Sequence, residues 1–135
     1  MAPRLGIINI NVTNLAVAAS FYGDKLGLEC RNPHGANGPL ELYIEGGPIA
    51  LLYPVAQLAG SSYEDQRVTL TFYTDDLENT IRRWRLNDVE FVPIKRSQDP
   101  SGIGTCPYGR FIAFKDPFGN VMELLEPHKS ESQSQ

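Results

Sequence analysis

The strongest constraint on this chain is an internal repeat. Asn14-Leu15 is matched by Asp76-Leu77, Tyr22 by Trp84 and Leu26 by Leu86. Further on, Gly46-Gly47-Pro48-Ile49-Ala50-Leu51-Leu52-Tyr53-Pro54 aligns without a gap on Gly119-Asn120-Val121-Met122-Glu123-Leu124-Leu125-Glu126-Pro127. A repeat of about 60–70 residues, present only twice, is too long and too few for a solenoid. It implies one domain built from two copies of one unit about a pseudo-twofold axis.

Hydrophobic periodicity shows what each copy contains. Ile8, Ile10 and Val12 alternate with Ile7, Asn9 and Asn11, as in a strand packed on one face only. Thr13 or Asn14 can cap a helix with apolar stripe Leu15, Ala18, Tyr22 and Leu26, which Gly27 stops. Strands follow at Leu28–Arg31, Leu40–Glu45 and Ile49–Tyr53, broken by Asn32-Pro33-His34-Gly35 and Gly46-Gly47-Pro48. The second copy opens with Val68, Leu70 and Phe72 alternating with Thr69, Thr71 and Tyr73. Asp75 or Asp76 caps its helix, with stripe Leu77, Ile81 and Trp84, and strands follow at Val89–Ile94, Phe111–Lys115 and Val121–Leu125. Trp84 reads as a core residue. Each copy is therefore βαβββ, and the class is α+β. The units are expected at about 4–54 and 67–127, joined by a polar linker 55–66, within one domain 1–128. The tail 129–135 has no apolar residue and is expected to be disordered.

Composition removes several function classes. With 135 residues the chain is one ordinary domain. Sixteen acids against twelve bases, a net charge of −4, argue against a nucleic-acid partner bound through a basic face. Only Arg82, Arg83 and Arg85 cluster, and a helix spreads them over a solvated face. No apolar run approaches the ~20 residues of a membrane span. Met1-Ala2-Pro3-Arg4 leads straight into the first strand, so a cytoplasmic protein without a membrane partner is expected. Cys30 and Cys106 are too few for a disulfide framework or a zinc site, and His34 and His128 read as exposed turn and tail residues.

Two motifs carry a resemblance to a known family. One is Leu15-x5-Phe21-Tyr22-x3-Leu26-Gly27-Leu28; the other is Asp116-Pro117-Phe118-Gly119-Asn120-x2-Glu123-Leu124. On paired βαβββ units, in this order, the chain resembles the vicinal oxygen chelate superfamily over residues 4–127. That superfamily holds glyoxalase I, methylmalonyl-CoA epimerase, extradiol dioxygenases, fosfomycin-resistance enzymes and bleomycin-resistance proteins. The resemblance implies curved mixed sheets enclosing a cleft, with a divalent metal held by His or Glu on the first and last strands of each unit. The corresponding positions here are Ile7, Ala50, Thr69 and Glu123. Only Glu123 can ligate, whereas such sites use about three protein ligands. No metal and no cofactor are expected, which places the chain nearest the metal-free bleomycin-resistance branch.

Strand alternation and the resemblance together assign the cleft wall. It would comprise Asn9, Asn11, Ala50, Leu52, Thr69, Thr71, Tyr73, Phe111 and Glu123, with Tyr108 on a covering loop Ser97–Gly109. An apolar wall with a few hydrogen-bonding groups suits a small molecule. The expected function is metal-independent binding of a small molecule, an antibiotic or related natural product. One alternative is a metal-dependent lyase, epimerase or dioxygenase. Another is a metal-free enzyme with Glu123 as acid or base, its pKa raised in the cleft and Tyr73 as hydrogen-bond partner. Open sheet edges imply a homodimer. Whether the units pair within one chain or across the dimer stays open.

Overall fold

The computed structural model describes residues 2–58, 68–94 and 97–129. Most of the expected linker and all but Lys129 of the expected tail lie outside the described residues. The chain divides into two compact units, residues 1–60 and 61–135. The first holds β1 (Ile7–Val12), α1 (Leu15–Ala19), β2 (Glu29–Arg31), β3 (Leu40–Tyr43) and β4 (Ile49–Pro54). The second holds β5 (Thr71–Tyr73), α2 (Leu77–Leu86), β6 (Glu90–Val92), β7 (Gly104–Cys106), β8 (Gly109–Lys115) and β9 (Val121–Pro127). The sheet orders are β1-β4-β3-β2 and β5-β9-β8-β6, with β7 added against β8. In both, the first strand runs parallel to the last and the other pairs are antiparallel. The α+β class is as the repeat implied, and the mixed sheets are as the resemblance implied. No helix among the described residues is long and apolar enough to cross a membrane.

One strand was not anticipated. Within the expected loop Ser97–Gly109, β7 folds back on β8 through a turn at Pro107-Tyr108. Gly109 closes that hairpin at φ +156°, where an added Cβ would lie 2.0 Å from the carbonyl oxygen of Glu126. Only glycine lets β8 approach β9 there.

The helices begin as capping chemistry dictates. The Asn14 side chain accepts from the Val17 N–H at 3.0 Å, and that of Asp76 from the Asn79 N–H at 3.1 Å. They end differently. In the second unit the Val89 N–H bonds the Trp84 carbonyl, reaching back five residues. In the first, the Leu28 N–H bonds the carbonyl of Tyr22, six residues back. The extra residue is absorbed by a wide π turn, Ser20–Lys25, that continues α1. Gly27 (φ +83°) and Asp88 (φ +64°) then occupy the same left-handed position. The match of Tyr22 with Trp84 thus holds, but that of Leu26 with Leu86 does not. Leu26 is buried, whereas Leu86 is 79% exposed.

Each helix covers one face of its own sheet. Val12, Tyr22, Leu42, Ala50 and Leu52 are fully buried in the first unit. In the second, Trp84 packs edge-on against Phe114 at 5.1 Å between ring centres and stacks near Phe91 at 6.5 Å, so its core role is as expected. The Asp116-Pro117-Phe118-Gly119-Asn120 motif is a turn held by its first residue. One oxygen of Asp116 accepts from the Phe118 and Asn120 N–H groups at 2.9 Å, and the other from the Asn120 side-chain amide at 2.7 Å. This carboxylate shapes the entry to β9.

Two stability measurements follow. Trp84→Ala should cost about 3–5 kcal/mol, as for a core aromatic, read as a lower urea midpoint. Asp116→Ala leaves two half-buried N–H groups without their acceptor and should cost about 1–3 kcal/mol, with Asp116→Asn losing less because it keeps one accepting oxygen.

Candidate functional site

The uncovered face of the first sheet is set by the parallel pairing of β1 with β4. Ile7 lies opposite Ile49, Asn9 opposite Leu51 and Asn11 opposite Tyr53. Asn9 and Asn11 are exposed, as are Ile7 and Tyr53. On β2 and β3 the same side carries Glu29, Arg31, Glu41 and Tyr43. The Tyr43 hydroxyl donates to Glu41 at 2.5 Å, which raises the phenol's pKa. Arg31 pairs with Glu29 and lies 4.2 Å over the Tyr43 ring.

Ala50 and Leu52 are not part of this face. They pair with Ile8 and Ile10 and are fully buried on the helix side. The gap-free alignment of β4 on β9 places them one residue out. Thr71 stands opposite Glu123 as Asn9 stands opposite Leu51, so Leu51, not Ala50, is the counterpart of Glu123. A slip of one residue turns every side chain of a strand to the other face.

In the second unit the pairings bring the expected residues together. Thr71 is opposite Glu123 and Tyr73 opposite Leu125 across β5–β9. Glu123 is opposite Ala113 and Leu125 opposite Phe111 across β9–β8. Thr71, Tyr73, Phe111 and Glu123 therefore share one face with Ala113 and Leu125. The Thr71 hydroxyl donates to Glu123 at 3.2 Å, so Thr71, not Tyr73, is the hydroxyl partner. Tyr73 is 74% exposed, Glu123 and Phe111 are half-buried, and Ala113 and Leu125 are buried. Thr69 is half-buried just before β5, where pairing continues through the Glu123 N–H to the Leu70 carbonyl at 2.9 Å. Tyr108 does not join the cluster. It is exposed at the β7–β8 turn, where its carbonyl accepts from the His128 N–H. Gly109, the next residue, pairs with Pro127, about 13 Å along the strand from Glu123.

The donor set does not fit a divalent metal. With Leu51 in place of Ala50, the four strand positions are Ile7, Leu51, Thr69 and Glu123, and a single carboxylate is far short of about three imidazole or carboxylate ligands. Among the described residues the acids that do converge are Asp76, Glu78 and Glu126 at the start of α2. Each is already engaged, Glu78 and Glu126 through both oxygens and Asp76 through one. Asp76 caps the helix, and Glu126 accepts from the Leu77 N–H at 3.0 Å and from Arg110 at 2.8 Å. Glu78 takes Arg110 through both oxygens, at 2.5 and 3.0 Å. Arg110 holds both glutamates below the ordinary carboxylate pKa. This clamp was missed in the sequence, where Arg110 and Glu126 look unrelated; they are directly opposite in the β8–β9 register. His34 and His128 are exposed, and Cys30 and Cys106 are half-buried free thiols.

The comparisons with known proteins agree with the fold. An uncharacterized protein, YetH, from Bacillus subtilis (strain 168) is 27% identical over 131 residues, covering 93% of this chain and all of that one. TnmS3, an antibiotic binding protein from Streptomyces sp. CB03234, superposes with a TM-score of 0.64 at 23% identity, covering 94% of this chain and 98% of its own. The fosfomycin resistance protein FosX from Listeria monocytogenes gives 0.70 at 18% identity, covering 96% and 97%. These two share the fold. The family profile matches residues 4–124, and the chain belongs to the Glyoxalase/Bleomycin resistance protein/Dioxygenase superfamily.

Proposed function

We propose that this protein binds a small organic molecule without a metal and sequesters it unchanged, as a natural-product or antibiotic-binding member of its superfamily. One observation carries the reading: on the open face of the second sheet the carboxylate of Glu123 stands among Thr71, Tyr73, Phe111, Ala113 and Leu125, while Glu90 on the same face is paired with Lys115. Such a face offers apolar contact, ring stacking and one charge-assisted hydrogen bond, but no ligand set for metal chemistry. Asn9 and Asn11, with Leu51 and Tyr53, give the first sheet a comparable polar-apolar face. Likeness in fold to an antibiotic binding protein and to a fosfomycin resistance protein supports a small-molecule ligand. We take the protein to be cytoplasmic and a homodimer, since each sheet ends in open edge strands.

A second reading has its own support. The Thr71 hydroxyl on Glu123 is the arrangement that orients a carboxylate for proton transfer, so a metal-free acid–base reaction is the alternative.

A thermal-shift screen of natural-product antibiotics, with mass analysis of the recovered compound, separates the two. Sequestration returns the compound unchanged; a product that disappears in Glu123→Gln establishes the alternative. For a cationic ligand, Glu123→Gln should weaken binding roughly ten- to hundredfold, the worth of one charged hydrogen bond at about 1.5–3 kcal/mol. Phe111→Ala should also weaken it, with the melting temperature of Glu123→Gln little changed. Metal analysis of untagged protein should find no stoichiometric Fe, Mn, Ni, Co or Zn, and near-equimolar metal would refute the reading. Light scattering at micromolar concentration should give twice the mass of one chain; a monomer would refute the dimer.

A further inference from the structure

We propose that the outer side of α2, with the loop before β7, forms a second binding site, for a small amphipathic anion: a carboxylate or sulfonate on a short apolar body. A hollow of about 400 Å³ lies there, within the ~300–1,000 Å³ of small-molecule sites. Ile81 and Ile103 form its apolar wall, and Leu86 stands beside them. A single exposed leucine is ordinary on a protein surface. Leu86 is 79% exposed in a hollow that Arg82 and Arg85 also line.

Among the described residues these arginines have no counter-ion. Arg82 donates to the neutral Asn79 side chain, and Arg85 lies 5.4 Å over the Phe91 ring. The helical partner one turn back from Arg82 would be Glu78. Arg110 has taken that carboxylate through both of its oxygens. Among the described residues no carboxylate pairs with Arg82 or Arg85, whereas Arg31 holds Glu29, Arg110 holds Glu78 and Glu126, and Lys115 pairs with Glu90. Two unpaired cations on an apolar hollow, in a chain of net charge −4, are the complement of an anion with an apolar body.

The hollow is polarised and its loop is braced. Glu78 and the nearby Asp99 lie toward Arg110 at the start of α2, about 10 Å along the helix from Arg85. An anionic group is therefore directed to the Arg82–Arg85 end, with its apolar body along Ile81 and Ile103. Asp99 accepts from the Ser101 N–H at 2.9 Å and its hydroxyl at 2.7 Å, and the Ile94 N–H bonds the Gly102 carbonyl at 3.0 Å. The wall thus needs little ordering when a ligand arrives. Since α2 covers the helix side of its sheet, this site is separate from the Glu123 face.

Titration with the fluorescent sulfonate 1-anilinonaphthalene-8-sulfonate, displaced by octanoate, tests the assignment. The wild type should show saturable binding that octanoate displaces and octanol does not. Arg82→Gln/Arg85→Gln should weaken binding at least about tenfold at unchanged melting temperature, and Arg82→Lys/Arg85→Lys should restore most of it. Equal binding by the glutamine double variant, or equal displacement by octanol, would overturn the proposal. So would a loss in Glu123→Gln instead, which would place the dye on the open sheet face. Sedimentation with phosphatidylglycerol vesicles without octanoate affinity would assign the arginines to a membrane surface and overturn it as well.

Discussion

Each unit is organised by a parallel pairing of its first strand with its last, β1 with β4 and β5 with β9. Because side chains alternate with period two, that one pairing decides which residues go under the helix and which face outward. In the first unit it sends Ile10, Val12, Ala50 and Leu52 beneath α1 and leaves Asn9, Asn11, Leu51 and Tyr53 on the open side. In the second it sends Phe72, Met122 and Leu124 beneath α2 and leaves Thr71, Tyr73, Glu123 and Leu125. β3 and β8 then pair antiparallel with the last strands, the remaining strands pair with β3 and β8, and all inherit the same choice of face. If β5 slipped by one residue against β9, Thr71 and Tyr73 would lose Glu123 and Leu125 as their opposite neighbours.

The fold was legible because it is written in burial patterns. Alternation marked both opening strands, and Asn14 and Asp76 marked both helix starts, since side-chain capping is local chemistry. The motif Asp116-Pro117-Phe118-Gly119-Asn120 was legible for the same reason, its bonds spanning four residues or fewer. What escaped was anything fixed by register between distant segments. Ala50 and Leu52 were turned to the wrong face because the sequence match, through Gly46, Leu51, Leu52 and Pro54, lies one residue away from the match that strand pairing sets. The β7–β8 hairpin was hidden because Gly104-Thr105-Cys106 has no apolar alternation; its pairing depends on Gly109. Leu86 was misread because the π turn in the first helix carries an extra residue that no composition signal marks.

Charge is distributed along α2 by the same economy of partners. Arg110 reaches from β8 to bind both Glu78 and Glu126, and Glu126 in turn accepts the Leu77 N–H that opens the helix. Acids near a helix start and bases near its end both favour the helix dipole. Here Arg110 neutralises the start from outside, so Arg82, one turn after Glu78, bonds the neutral Asn79 instead, and Arg85 lies over the Phe91 ring. A structural clamp at one end of a helix has thereby created an anion-seeking surface at the other.

The duplication also separates packing from chemistry within a single chain. On the helix side the two copies stay alike in kind: Ile10 and Phe72, Leu52 and Leu124, Tyr22 and Trp84 are all large and apolar or aromatic. Close-packed interiors allow little else. On the open side they part: Asn9 against Thr71, Asn11 against Tyr73, and Leu51 against Glu123. No volume constraint from a covering helix acts there, so each position is free to answer to solvent and ligand. The sharpest of these differences is the last. A carboxylate half-buried between Thr71 and Ala113 gains little for folding, because desolvation opposes it. Its counterpart shows that leucine fits the same strand position. Glu123 is therefore the residue whose presence packing explains least and recognition explains best.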